Sequence, residues 1–193
     1  MPFTPPTINI IAVLPLVIVL GWGVLLMVLD LVMPDGQRKW WPWFTAVGLG
    51  AALVQSIATW GTTAGAFIAG DGPPMIVVDN FATFLNITFL LTGLFTLLLG
   101  VNYLRDAGLD RAEFYMLLLF SLGGMMLMGM ANDLIVIFLA LELLSIPLYI
   151  MSGLAWPRPE SEESAMKYFL LGAFSSGVFV YGIALMYGAT GST

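Results

Sequence analysis

The 193-residue sequence contains no cysteine and no histidine. Without cysteine the chain has no disulfide and no thiolate metal site, and the lack of histidine also argues against a haem or zinc centre within it. Lysine and arginine total six, which is too few to form a basic track for nucleic acid. The sequence therefore gives no support to a metalloprotein of these kinds or to a nucleic-acid-binding protein.

Charge is scarce, whereas long apolar runs are abundant. Charged residues make up 9% of the chain, hydrophobic residues 60%, and the mean hydropathy is +0.97. An ordinary soluble domain carries about 25% charged residues. Several runs reach about 18 or more apolar residues, the length that a helix needs to cross a bilayer. Such continuous runs do not suit the short alternating strands of a membrane barrel, so the sequence predicts an all-α integral membrane protein.

Turn-forming and charged connections divide the chain into six predicted transmembrane helices. The first five cover residues 8–33, 41–67, 79–104, 114–130 and 134–155. The sixth is capped by the acidic stretch 160–164 and ends near residue 188. A break is required at Ala131-Asn132-Asp133, because residues 114–155 are about twice as long as one bilayer crossing. We divide the chain into an N-terminal three-helix segment, 1–112, and a segment holding helices four to six, 113–193.

Basic residues outside the predicted spans fall on alternate connections. These residues are Arg38, Lys39, Arg105, Arg111 and Arg158, on connections one–two, three–four and five–six. The other two connections and both tails carry neither lysine nor arginine. By the positive-inside rule, the basic connections face the cytoplasm. Both termini are therefore predicted to lie on the outer side, in the periplasm if the cell has one.

Glu142 lies near the middle of the fifth span. A carboxylate at that depth costs about 2.5–3.5 kcal/mol on insertion scales, so we expect it to face protein or water. Ser145, Tyr149 and Ser152 follow at helical spacing and form a polar stripe with it. Intramembrane acids are functional by default, which favours a proton or ion pathway through Glu142. The alternative is a structural, protonated carboxyl group bonded to a neighbouring helix.

Lys167 is the only lysine or arginine inside a predicted span, about one turn into the sixth. It either snorkels to the interface or takes part in the pathway. Glu142 lies roughly 20 Å from the cytoplasmic end of its helix, whereas Lys167 lies only about 5 Å from the cytoplasmic end of the sixth span. The separation between the two residues is therefore too long for a direct ion pair. The small-residue spacings Gly172…Ser176 and Ala173…Gly177 predict close helix contacts on the sixth span.

Two long stretches in the second half of the chain carry a specific resemblance. The segments LELLSIPLY (141–149) and KYFLLGAFSSG (167–177), with the residues around them over 113–153 and 164–192, resemble subunit N of bacterial NADH:quinone oxidoreductase, respiratory complex I. The wider group is the antiporter-like membrane subunits related to cation/proton antiporters. Residues 1–112 resemble the same subunit in helix number and in Asp79-Asn80-Phe81. The resemblance implies that the chain is the N-terminal part of an antiporter-like fold of about fourteen helices, built from inverted repeats.

The resemblance also implies roles for individual residues. Glu142 matches the family's fifth-helix glutamate, which pairs with a channel lysine and tunes its protonation, and Lys167 matches a lysine in the sixth helix. The implied function is proton translocation in an NADH:quinone oxidoreductase, coupled to quinone reduction elsewhere in the complex. NAD, FMN, iron–sulfur clusters and quinone are expected in other subunits, and no cofactor or metal in this chain. Its implied partners are other complex I membrane subunits and the lipid bilayer, in the bacterial inner membrane.

Two other functions remain open from the residues. The chain is alternatively a secondary cation/proton antiporter subunit without electron transfer, or a non-conducting scaffold that joins neighbouring pump subunits. The family's broken seventh helix, and the pumping lysines of its later helices, do not occur within these 193 residues.

Overall fold

A computed structural model of the protein describes residues 9–33, 39–68 and 72–193. These ranges contain the helices α1 (Ile10–Val32), α2 (Trp41–Ala58), α3 (Asn80–Asp106), α4 (Ala112–Met130), α5 (Leu134–Ser152) and α6 (Pro159–Thr190). All except α2 are long and apolar enough to cross a membrane. The predicted all-α membrane fold is confirmed. Residue 8 and Arg38, which were part of the sequence predictions, lie outside the described residues.

Three helices begin at polar capping side chains. Asn9, Asp79 and Asp133 precede α1, α3 and α5, and each side chain accepts a hydrogen bond from a backbone N–H in the first turn that follows. Such caps satisfy N–H groups that have no partner within the helix, which matters more where the surroundings contain little water. The caps explain why these helices begin at the observed residues.

The start of α6 has a different origin. Pro159 is its first residue, a position where the missing N–H has no cost. Glu160 and Glu162 lie in the first turn, where negative charge complements the helix dipole. The acidic stretch therefore belongs to α6 itself and extends the helix by a turn beyond the apolar run.

The prediction that the second span runs to residue 67 is wrong, because α2 ends at Ala58. Gly61 adopts a positive φ of 82°, and the next regular element is a short strand, β1 (Ala64–Ala66). This strand pairs antiparallel with β2 (Ile76–Val78). The apolar character of the sequence continues through this region, but its glycines and threonines are poor helix formers.

The β1–β2 hairpin lies at the same end of the bundle as the α4–α5 turn. Asn132 donates from its backbone N–H to Met75 O and from Nδ2 to Pro74 O, both at 2.9 Å. Thr193 donates to the Asp133 carboxylate, so α6 also ends here. We call this the hairpin end. The opposite arginine end carries the described basic residues of the connections, which are Lys39, Arg105, Arg111 and Arg158.

Helix α4 lies at the centre of the bundle and packs against α1, α3 and α5. Its contact with α5 is very close at Gly124, where a Cβ atom would lie 2.3 Å from the backbone nitrogen of Leu144. Helix α6 packs against α5, and none of its residues is buried by the described parts of the chain. The α5–α6 interface is therefore open on one side and holds most of the polar groups predicted to be functional.

Candidate functional site

Glu142 contacts α6 near the middle of the predicted membrane span. It is the ninth residue of the 19-residue α5, and its Oε1 accepts a hydrogen bond of 2.5 Å from Ser176 Oγ, near the middle of α6. The side chain is half-buried. Without a partner, a carboxylate at this depth would bear most of its desolvation cost. The contact therefore turns the carboxyl group toward α6 and gives it one polar neighbour.

Tyr149 and Ser152 continue the polar stripe along the same interface. Tyr149 is 8% exposed, and its ring packs edge-on against Tyr168 of α6 with centroids 4.7 Å apart. Its hydroxyl lies so close to Gly172 that a Cβ there would be 2.0 Å away. Ser152 donates to Tyr149 O at 2.7 Å, and its own carbonyl accepts from Ser161 Oγ at 2.8 Å. Glu142, Tyr149 and Ser152 all lie against α6.

Ser145 and Pro147 lie between Glu142 and Tyr149 on α5. Ser145 is half-buried one turn beyond Glu142, and Pro147 is buried. A proline has no N–H, so residue 147 cannot bond the carbonyl of Leu143 four residues earlier, as a regular helix would. That carbonyl belongs to the residue next to Glu142. The segment from Glu142 to Ser152 thus combines a carboxyl group, hydroxyl groups and a backbone carbonyl that lacks its helical donor.

Lys167 lies apart from Glu142, toward the arginine end. Its ammonium group is exposed and forms an ion pair with Glu163, one turn earlier on α6. Nine residues separate Lys167 from Ser176, which corresponds to about 14 Å along the helix. Glu142 and Lys167 therefore have different partners. Any coupling between them has to pass through water or through other groups.

Ser176 was not predicted from the sequence to belong to the candidate site. Ser176 appeared only in the Gly172…Ser176 spacing, which predicted close packing of helices. Both residues do lie at the α5–α6 contact, Gly172 against the Tyr149 hydroxyl and Ser176 against Glu142. In the second predicted pair, Gly177 has open space around it within the described part of the chain. The sequence feature that could have identified Ser176 is its position four residues after Gly172, on the same face of α6.

This site falls within the part of the chain that matches a known family. Residues 131–193 match the family described as NADH:quinone oxidoreductase/Mrp antiporter, TM. Over 191 residues the chain is 42% identical to the NADH-quinone oxidoreductase subunit N of Chloroflexus aggregans, which covers 98% of this chain. The chain belongs to the subunit N family of NADH-quinone oxidoreductases. Another member, from Trichlorobacter lovleyi, is 40% identical over 187 residues, 97% of this chain.

Solved structures show the same fold. A chain of respiratory complex I from Thermus thermophilus with bound aureothin matches with a TM-score of 0.72 and 36% identity, over 92% of this chain and 37% of that one. A chain of the archaeal membrane-bound sulfane sulfur reductase matches with a TM-score of 0.73 at 24% identity, over 94% of this chain and 38% of that one, which shows the fold alone. The chain spans only 38% and 37% of the two curated subunit N relatives.

Proposed function

We propose that this chain forms the first helices of a proton-translocating membrane subunit of an NADH:quinone oxidoreductase. The observation that carries the proposal is the mid-membrane contact between Glu142 and Ser176, within residues 131–193 that match the family. An ionisable residue inside a membrane span is costly and is usually functional. Quinone reduction takes place in other subunits, and this chain contributes a group that accepts and releases a proton.

Ser176 suits a carboxyl group that changes its protonation state. When Glu142 is ionised, its oxygens only accept hydrogen bonds, and the Ser176 hydroxyl donates to one of them. When Glu142 is protonated, its own O–H can donate, and a serine hydroxyl can rotate and accept. The pair keeps a hydrogen bond in both states. A proton can then leave or return without exposing an unpaired carboxylate to lipid.

We propose that Glu142 acts by changing the electric field on a cationic group outside this chain. Opposite charges attract each other more strongly in a low-dielectric region than in water. Loss of the charge on Glu142 weakens the electrostatic attraction between Glu142 and such a cation. This gives a switch in which the movement of one proton prepares the release of another.

Lys167 has a secondary role in this proposal, as a group that relays or biases proton entry at the arginine end. Its ion pair with Glu163 is exposed, and exposed pairs contribute only about 0–1 kcal/mol. The ammonium group can therefore change partner easily. Snorkelling to the interface remains the competing explanation for Lys167.

We further propose that the arginine end faces the cytoplasm of a bacterial cell and that the hairpin end faces outward. The chain then lies in the inner membrane beside other complex I membrane subunits, with no redox cofactor of its own. The support is that the described basic residues of the connections lie at the arginine end. The main alternative is a secondary cation/proton antiporter subunit, because the matching family description includes the Mrp antiporter.

Purification of the protein from native membranes tests this function. With a tag on that protein, we expect flavin, iron–sulfur clusters and NADH:quinone reductase activity to co-isolate in mild detergent. A similarly tagged, unrelated membrane protein from the same cells is the control. Isolation of the tagged protein without any redox centres, in a form that exchanges cations for protons in liposomes, would instead establish the antiporter function.

A further inference from the structure

A narrow groove of about 360 Å³ runs between α2 and α3 on the outside of the bundle. Its walls include Trp43 and Ala46 of α2 and Leu98, Val101, Asn102 and Arg105 of α3. The walls are mostly apolar, with one cationic group, Arg105, at the arginine end. None of its lining residues belongs to α5 or α6, the two helices between which Glu142 lies. The proposed function therefore leaves it unexplained.

The length of the groove corresponds to one leaflet of a membrane. From Leu94 to Arg105, its wall spans eleven helical steps of α3, about 16.5 Å at the helical rise of 1.5 Å per residue. Half of a hydrocarbon core is about 15 Å thick. A groove with a cation at one end and an apolar wall of this length fits a lipid headgroup and one acyl chain.

Arg105 is held in place at the end of the groove. Its Nε donates to Asp110 Oδ2 at 3.1 Å, and the other Asp110 oxygen accepts from the Tyr115 hydroxyl at 2.6 Å. The Arg105 side chain is still 43% exposed, and a guanidinium has four further N–H donors, arranged to bind phosphate with two bonds. Trp43, 65% exposed, is the third residue of α2 and also lines the groove, and tryptophan is typical of the headgroup region.

We propose that this groove binds one anionic phospholipid, with its phosphate on Arg105 and an acyl chain along Leu98 and Val101. The Asp110 carboxylate already accepts hydrogen bonds from Arg105 and Tyr115, and its side chain is only 18% exposed. It therefore offers little to the ammonium of a zwitterionic headgroup, which favours a headgroup without one. The inference does not depend on the proposed proton function, since it rests on a separate surface of the chain.

Native mass spectrometry of the delipidated full complex, titrated with phosphatidylglycerol, tests the site. We expect Arg105→Gln to weaken the tightest lipid binding about tenfold, because the phosphate loses its cation. Ala46→Phe should weaken it similarly by filling the groove, with Arg105 unchanged. Arg158→Gln is the matched control, since it removes an exposed arginine from the same end, away from the groove, and should leave lipid binding unchanged. Phosphatidylcholine should bind more weakly than phosphatidylglycerol to the unmodified complex.

Two results would overturn the proposal. One is equal lipid binding by all three variants, which would mean that lipid only coats the surface. The other would come from a photoreactive benzoylphenylalanine placed at position 98 in the complex. We expect this residue to form an adduct with lipid. A crosslink to another subunit would show that protein fills the groove. This second measurement remains informative if Arg105→Gln prevents folding.

Discussion

Glu142→Gln should lower NADH-driven proton pumping several-fold in the assembled complex. Glutamine has almost the same shape, and its amide oxygen can still accept the hydrogen bond from Ser176. It cannot bind and release a proton, so the chemical function is lost with little change in packing. The measurement is the proton-to-electron ratio, with turnover, in sealed vesicles. Electron transfer from NADH to an artificial acceptor should be unchanged, because it needs only the redox subunits.

Two further variants separate this effect from a general loss of charge. Glu160→Gln removes an exposed carboxylate from the first turn of α6 and should leave pumping unchanged. Glu142→Asp keeps a titratable group at the site and should retain part of the pumping. Full pumping by Glu142→Gln would contradict the proposed role and would favour the scaffold function.

Gly124→Val should prevent stable assembly of the α4–α5 pair. A Cβ at Gly124 would lie 2.3 Å from Leu144 N and 2.7 Å from Leu144 Cα. These atoms belong to the backbone of α5, which cannot move aside as a flexible side chain would. Overpacking usually costs about 1–3 kcal/mol, and we expect the upper end of that range here or more. Because Leu144 is two residues from Glu142, any separation of the helices also displaces the Glu142 carboxyl group.

The readouts are the amount of assembled complex in the membrane and its thermal stability in detergent. Gly21→Val is the matched control, because Gly21 is also inside a helix but no atom of the described residues lies within 4 Å of an added Cβ. Both substitutions change intrinsic helix propensity in the same way. Normal assembly of Gly124→Val would show that the close contact between α4 and α5 is not required.

The helices were predictable because hydrophobicity is a local property of the sequence. Asp79 and Asp133 come directly before the helices that they cap, and the α4–α5 turn follows from the length of the apolar run. The end of α2 was not predictable in this way. Ala64–Ala66 is a strand because it pairs with Ile76–Val78, and hydropathy does not report pairing between separated segments.

The candidate site was predictable only in part. The helical spacing of Glu142, Tyr149 and Ser152 placed them on one face, and all three do lie against α6. The partner of Glu142 is Ser176, 34 residues away, and its neighbour Ser175 is chemically identical. Only the rotation of α6 about its own axis determines which serine meets the carboxyl group. That rotation depends on tertiary packing, including the contact of Gly172 with Tyr149.

Infrared difference spectroscopy of the complex during turnover tests most directly whether Glu142 exchanges protons within the membrane. We predict a carboxyl signal that is absent in Glu142→Gln, displaced in Ser176→Ala, where the hydrogen bond is lost, and unchanged in Ser175→Ala, whose side chain is exposed. Deuterated water should also shift this signal, because the proton exchanges. Identical spectra for the unmodified complex and Glu142→Gln would contradict the account, since Glu142 would then keep one protonation state throughout turnover.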